Sequence, residues 1–299
     1  MTTSNGLLLI DKARGLTSHD VVARVRVVMN ERRVGHAGTL DPMATGLLVL
    51  GVGPSTRLLR FAQSETKRYQ GVVTLGVATD SLDADGQVVD RREVPPLSVE
   101  HVNLEASGML GSQSQTPPMV SAIKVKGKRL HALAREGIVV ERVPRAITVD
   151  AFSLLSTSRS DEWTFDVTCS VGTYVRVLLS DLAERLGTLG HLSALRRLMS
   201  GSHRIEDALT LDELEERVAQ DVVVLEEPRA FVAQLEQIVV NAEDESRLRK
   251  GQRVTLDGPR SDEIAALSEA GSLVAVLERR GDSWQPSIVL PAVEDAERG

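Results

Sequence analysis

The apolar residues of this chain come in short aliphatic runs closed by glycine or charge: GLLLI at 6–10, LLVLGVG at 47–53, GVVTLGV within 67–77, and QIVV, QRVTL, SLVAVLE and SIVL within 236–291. Runs of this length and composition read as strands, with GLLLI a buried one. Aromatic residues are only 3% of the chain, so aliphatic side chains must build the core. No apolar run approaches the roughly 20 residues needed to span a bilayer.

Helical patterns lie between the runs. Thr17 or Ser18 can cap a helix that carries Val21, Val22, Val25, Val28 and Met29 at helical spacing. Its valines lower helix propensity, so packing must hold it. STRLLRFA (55–62) predicts a short helix capped by Ser55, and 31–46 a loop with three glycines and a proline. Residues 67–77 alternate as a strand, which 86–91 join after the turn at Asp83–Gly86. Residues 98–110 predict a helix, 112–118 a linker, and 119–130 a hairpin turning near Gly127 that leads into a short helix ended by Gly137. Two strands, 147–156 and 162–171, flank the turn at Ser160–Asp161. A helix over 174–186 stops at Gly187. Residues 192–200 read as strand or short helix, 208–220 as an exposed helix with Thr210 or Asp212 near its start, and 225–234 as a linker. The tail, 236–291, reads as a small β-rich second domain.

The net charge of −7 argues against a nucleic-acid partner until it is mapped. Residues 1–70 carry +5, 71–112 carry −5, 113–146 carry +5, 147–204 are neutral and 205–299 carry −12. Screening erases charges beyond about 8–10 Å, so two basic blocks inside an acidic chain can draw phosphate locally. Ordinary charge scatter is the alternative. The single cysteine, Cys169, cannot form an internal disulfide and reads as a buried thiol in a reducing compartment. MTTSNGLLLIDKARG lacks the basic-then-apolar pattern of a signal peptide, so a cytoplasmic protein is expected.

Chemistry concentrates in Gly35-His36-Ala37-Gly38-Thr39-Leu40-Asp41-Pro42-Met43-Ala44-Thr45-Gly46. Glycines let backbone approach a ligand closely, and Pro42 disfavours the α region for Asp41, holding it extended. A carboxylate placed so, between Leu40 and Met43, is aimed by backbone rather than by a flexible linker. By itself an Asp-Pro in such a loop is more often a turn.

With its surroundings the loop resembles the TruB-type pseudouridine synthases, the tRNA pseudouridine-55 synthases, whose G-H-x-G-x-L-D-P-x-A-x-G loop carries the catalytic aspartate. GLLLIDK ending at Lys12, Lys67-Arg68-Tyr69, Thr79 to Gly86, Gly172-Thr173-Tyr174-Val175-Arg176, Gly190-His191 and Leu195-Arg196-Arg197-Leu198 match in order, over residues 5–200. The resemblance implies that Asp41 attacks the ribose C1′ or abstracts a proton that starts glycosidic cleavage. Tyr69 would stack on the flipped base, with removal of the C5 proton as a further role. Arg176 would pair with Asp41, Tyr174 would line the pocket, and Leu195 would wall the uracil site. His36 would stack within the RNA loop, and Lys12 would support the catalytic loop. Residues 113–146 resemble the family's mobile thumb. There Lys124, Lys126, Lys128, Arg129, Arg135, Arg142 and Arg145 would close on the tRNA T arm, the alternating lysines 124, 126 and 128 sharing one strand face.

The fold then expected is α/β (α+β): a catalytic domain over 1–230 with a mixed, largely antiparallel sheet, and a PUA-like β domain over 231–299. The resemblance implies tRNA as the partner, and no membrane, metal or cofactor and a monomeric chain are expected. The acidic run 80–85 lacks an EF-hand's ligands, since Ser81 and Arg92 stand where acids are required. Two rivals remain: a catalytically silent tRNA-folding factor, and a phosphoryl-transfer enzyme with Asp41 as acceptor. The second would want a phosphate-cradling loop or a Mg²⁺ site, and neither is apparent.

Overall fold

The computed structural model describes residues 5–63, 66–119, 124–125, 128–129, 140–222, 224–258 and 260–292. In chain order its elements are β1 (Gly6–Lys12), α1 (Ser18–Val28), β2 (Val34–Ala37), β3 (Thr45–Val52), a 3₁₀ turn (Gly53–Leu58), α2 (Leu59–Gln63), β4 (Lys67–Leu75), β5 (Val77–Thr79), β6 (Val88–Arg91), α3 (Val99–Ser107) and β7 (Gly111–Gln115). Then follow β8 (Lys124–Val125), β9 (Lys128–Arg129), β10 (Arg145–Ser156), β11 (Glu162–Cys169), α4 (Val175–Arg185), β12 (Gly190–Ser200), β13 (His203–Arg204), α5 (Leu211–Ala219), β14 (Glu236–Val239), α6 (Ala242–Arg249), β15 (Glu263–Leu267), β16 (Leu273–Arg280) and β17 (Ser283–Val289). The chain divides into two compact units, one of residues 1–41, 47–63 and 205–299, the other of 42–46 and 64–204.

In the first unit β1 and β3 are covered on both faces, which is why their sequences are unbroken aliphatic runs. Leu8 and Ile10, with Leu48, Leu50 and Val52, pack against Val21, Val22 and Val25 of α1 and Leu214 of α5. The alternate residues Leu7, Leu9, Leu47 and Val49 pack with Leu58, Phe61, Phe231, Val232 and the apolar side chains of β15–β17. The helix expected after position 17 therefore forms, held by burial of its valines. In the tail, β14 runs parallel to β15, and β15, β16 and β17 follow antiparallel, around a core that includes Trp284, Leu248 and Val254.

The second unit is an antiparallel sheet in the order β12-β4-β11-β10-β7. Thr45 and Gly46 add to β12 in parallel, which makes the sheet mixed. Helix α3 lies on β10 and α4 on β12. Asn103 of α3 clamps the first contact: its Nδ2 donates to the Leu154 carbonyl and its Oδ1 accepts from the Leu154 amide, both at 2.9 Å.

Several local expectations need correction. The 31–46 segment is not all loop, because Val34–Ala37 pair antiparallel with Val52–Val49. The 112–118 linker contains β7, paired with β10 from Arg145↔Gln115 to Val149↔Gly111. GSQSQ is the polar edge of the sheet, so it has no apolar pattern to read. Ser55 does not cap a helix; it is buried, and both its amide and its hydroxyl donate to Asn5. Residues 192–200 are strand, and α6 and β15 were not anticipated. In the thumb β8 and β9 pair antiparallel, with Lys124↔Arg129 and Val125↔Lys128 in register. Lys124 and Lys128 thus sit on facing strands, not along one.

Gly71 shows how tightly β4 is fitted. A Cβ there would lie 2.0 Å from the Ala194 carbonyl oxygen and 2.8 Å from the Phe165 ring. Gly71→Ala is expected to cost about 1–3 kcal/mol by overpacking and to lower the thermal midpoint by several degrees. An unchanged midpoint in a calorimetric scan would contradict this packing.

Candidate active site

Asp41 lies in the loop that joins β2, which stops at Ala37, to β3, which begins at Thr45. The loop turns at Gly38, whose φ of 86° is a left-handed conformation that suits glycine. Leu40 is buried and Asp41 half-buried. The Ser18 hydroxyl accepts from the Leu40 amide at 2.9 Å and donates to its carbonyl at 3.2 Å. Ser18 can do this because Thr17 caps α1: Thr17 Oγ1 accepts from the Asp20 amide, and Asp20 Oδ2 accepts from the Thr17 amide. The Thr17 hydroxyl also donates to Asp20 Oδ2 at 2.7 Å, and this bond first, then that of the Thr17 amide, holds the Asp20 carboxyl below its ordinary range. Lys12 is fully buried, with Nζ donating to the carbonyls of Ala13 (3.0 Å) and Leu16 (2.7 Å), so it folds the turn leading into α1. The His36 ring stands edge-on to His19 at 5.6 Å. Lys12, His36 and Asp41 thus fall in the first unit.

The second unit holds Tyr69, Tyr174, Arg176 and Leu195. Tyr69 pairs with Arg197, and Gly71 with Leu195. Directly paired residues share a face, so Tyr69, Leu195 and Arg197 stand on one side of the sheet. Tyr69 and Arg197 are both buried. On the other side Asp166 receives Arg68 through two bonds of 2.9 and 2.7 Å and Gln70 at 2.7 Å, fixing the strand that presents Tyr69. The Arg68 bond holds the Asp166 carboxyl below its ordinary range, against the opposing effect of burial. The loop's last residues dock here: Thr45 Oγ1 donates to the Leu195 carbonyl at 3.3 Å, and Gly46, at φ 99°, runs so close that a Cβ would lie 2.3 Å from the Arg197 carbonyl oxygen.

Arg176 is not the solvated charge that a first-turn arginine usually is. Its Nη1 donates to Asp83 Oδ2 at 3.0 Å and to the Ser81 carbonyl at 3.3 Å, and the two ion-pair side chains are only 5% and 6% exposed. Asp83 also accepts from the Ser81 hydroxyl at 2.6 Å and the Asp85 amide at 3.2 Å. Leu82, between them, takes a left-handed φ of 63°. The Arg176 guanidinium carbon lies 5.9 Å from the Tyr174 ring centroid. Gln115, at the base of the thumb, holds the Tyr174 backbone: its Oε1 accepts from the Tyr174 amide (2.8 Å) and its Nε2 donates to the carbonyl (3.1 Å).

A sequence profile described as TruB family pseudouridylate synthase (N terminal domain) matches residues 26–175, and one described as tRNA pseudouridylate synthase B C-terminal domain matches 176–249. The chain belongs to the TruB family of pseudouridylate synthases. It is 43% identical to the tRNA pseudouridine synthase B of Leifsonia xyli subsp. xyli over 98% of each chain. To that of Opitutus terrae it is 48% identical, over 71% of this chain and 87% of the relative. Its fold is like that of a chain in the crystal structure of a Cbf5-Nop10-Gar1 complex, with a TM-score of 0.75 at 22% identity over 99% of this chain and 88% of the other.

In this TruB chain the sequence reading missed Ser18 as a loop anchor, Asp83 as a partner of Arg176, and Gln115. Arg197 stood within a matching block but was given no role. Asp83 was hidden because the acidic run around it looks like a solvated turn, whereas its carboxylate is the buried member. Of the thumb residues, Lys126 and Arg135 lie outside the described residues, and for Lys124, Lys128 and Arg129 only backbone pairing is described. Arg142 Nη1 donates to the Pro117 carbonyl at 3.0 Å, tying the two arms of the thumb, and Arg145 begins β10.

Burial pushes the Cys169 thiol up to about 11, against the smaller opposing pull of the Thr173 hydroxyl. The thiolate is the reactive form, so Cys169 should be inert to a disulfide reagent at pH 8 in the native protein and should react once guanidinium unfolds it. Rapid labelling of the folded enzyme would show the thiol to be accessible.

Proposed function

We propose that this chain converts a uridine of the tRNA T arm, position 55 of the T loop, into pseudouridine, with Asp41 as the catalytic carboxylate. What carries the reading is Asp41 itself: in a chain of this family, it stands on a loop whose backbone is gripped at Leu40 and docked at Thr45 and Gly46. The reaction breaks the N1–C1′ bond and makes C5–C1′; N1 gains a proton and C5 loses one. It is an isomerisation, so it consumes no redox equivalent, energy source or metal. A stacked uridine has to be flipped out first. Asp41 either attacks C1′, splitting one difficult step into two, or removes a proton that initiates cleavage.

In this reading Tyr69 stacks on the extruded base and is a candidate to take the C5 proton, while Leu195 forms the apolar wall and Tyr174 lines the pocket. Arg176 pairs with Asp41 and keeps it ionised, and the buried bond to Asp83 sets the guanidinium in place. His36 stacks within the RNA loop, and Lys12 supports the catalytic loop from below. Lys124, Lys126, Lys128 and Arg129 contact phosphate. Residues 1–230 act as the catalytic domain and 231–299 as a PUA-like module, in a monomeric cytoplasmic enzyme without cofactor or metal.

Asp41→Asn should abolish turnover while changing tRNA affinity by less than about tenfold, because phosphate contacts lie elsewhere. Tritium release from 5-tritiated uridine in tRNA measures this, and release at the normal rate would remove Asp41 from the mechanism. Charge reversal at Lys124, Lys126 and Lys128 should weaken binding and flatten its salt dependence by about 0.7–0.9 in log–log slope for each phosphate that is no longer neutralised. Identical affinities across a salt titration would reject the phosphate role.

A further inference from the structure

From the two bonds that Ser18 makes to one residue, we infer that Ser18 is a positioning residue for Asp41; this deepens the assignment of Asp41 above and rests on it. Ser18 is 1% exposed and Leu40 is 3% exposed. The contact spans 22 positions of sequence and joins the first residue of α1 to the residue immediately before the carboxylate. A hydroxyl can accept and donate at once, and here it takes both polar groups of a single residue: the amide that leads into Leu40 and the carbonyl that leads out of it towards Asp41. Both peptide planes flanking Leu40 are thereby fixed. The second of these contains the Asp41 nitrogen, and Pro42 restricts the backbone on the far side.

Ser18 is not needed for the job its position suggests. Thr17 and Asp20 already form the reciprocal cap of α1, so the Ser18 hydroxyl is left to the loop. The anchor is itself held. Val21, Val22 and Val25 bury α1 against β1 and β3, and Lys12 ties the turn 13–16 that delivers the chain to Thr17. The next residue, His19, meets His36 edge-on at 5.6 Å. Consecutive residues at the start of α1 therefore touch both ends of the 36–40 segment. The Asp41 side chain has a short stem, so a shift of its backbone passes directly to its carboxylate. A misplacement of about 1 Å can cost on the order of a hundredfold in rate.

The test is a single-turnover assay with enzyme in saturating excess over 5-tritiated tRNA, run beside tRNA binding and thermal melting on Ser18→Ala, Ser18→Thr and Asp41→Asn. Ser18→Ala should slow the chemical step by about ten- to a hundredfold while tRNA affinity stays within about threefold. Ser18→Thr, which keeps the hydroxyl, should recover most of the missing rate. Ser18→Ala at the wild-type rate beside an inactive Asp41→Asn would overturn the role of Ser18 alone, whereas an active Asp41→Asn would overturn the assignment of Asp41. Equal impairment in the Ala and Thr variants, or rate and affinity falling together, would also reject a positioning role. Should Ser18→Ala fail to fold, hydrogen exchange of the wild-type Leu40 amide decides: protection matching the amides of α1 supports the anchor, and exchange at the rate of an exposed loop overturns it.

Discussion

A guanidinium withdrawn from water is costly unless an opposite charge and further hydrogen bonds meet it. Much of the second unit's irregular structure can be traced to satisfying Arg176. Asp83 receives Nη1, and the segment that carries Asp83 is bent to make that possible. Leu82 takes a left-handed φ, Thr79 Oγ1 donates to the Asp83 carbonyl at 2.7 Å, and the Ser81 hydroxyl steadies the carboxylate. The same segment is stitched to β12, with the Ala84 amide on the Leu192 carbonyl and the Leu192 amide on the Leu82 carbonyl. Gln115 holds the residue at the start of α4 from the other direction. Removing one member of a buried pair typically costs about 3–5 kcal/mol, because the survivor is stranded. The pair is weak evidence for stability and strong evidence for a fixed orientation.

The Asp41 loop is held by different means. Three of its anchors are neutral: a serine hydroxyl on Leu40, a threonine hydroxyl on the Leu195 carbonyl, and a glycine that lets backbone run against backbone at Arg197. Neutral anchors hold a carboxylate's backbone without adding charge of their own. Lys12 is charged, and its ammonium donates to the backbone carbonyls of Ala13 and Leu16, so it acts as a knot in the chain.

What could be read from sequence follows from where the signal lies. β1 and β3 were legible because burial on both faces forces unbroken aliphatic runs. β7 was not, because an edge strand such as GSQSQ satisfies its backbone on one side and needs no apolar face. The helix α6 escaped because AEDESRLR has one buried residue, Leu248, and is otherwise polar. Asp41, Tyr69 and Arg176 stood out through the pattern around them, since no single one is distinctive. Ser18, Asp83 and Gln115 could not stand out: serine, aspartate and glutamine are ordinary at helix starts, turns and polar strands. What distinguishes them is burial together with a partner 22, 93 or 59 positions away. Long-range pairing of that kind leaves no periodic trace.

The distribution of charge bears on where an RNA backbone would be met. The arginines of the acidic tail are largely committed inside it. Arg249 bonds Glu245 at 2.6 Å, Arg280 bonds Glu278 at 2.8 Å, Arg253 bonds Gln285 at 2.7 Å, and Arg279 lies 4.5 Å from the centroid of Trp284. Arg249 and Arg280 face a carboxylate directly and so present little net field beyond a Debye length, whereas the neutral Gln285 leaves the charge of Arg253 uncancelled. With −12 over 205–299, that segment as a whole repels phosphate. Within the +5 block over 1–70, Arg24, Arg60 and Arg68 are likewise paired, with Glu215, Glu263 and Asp166, so the proposed tRNA binding leans more on the +5 block over 113–146.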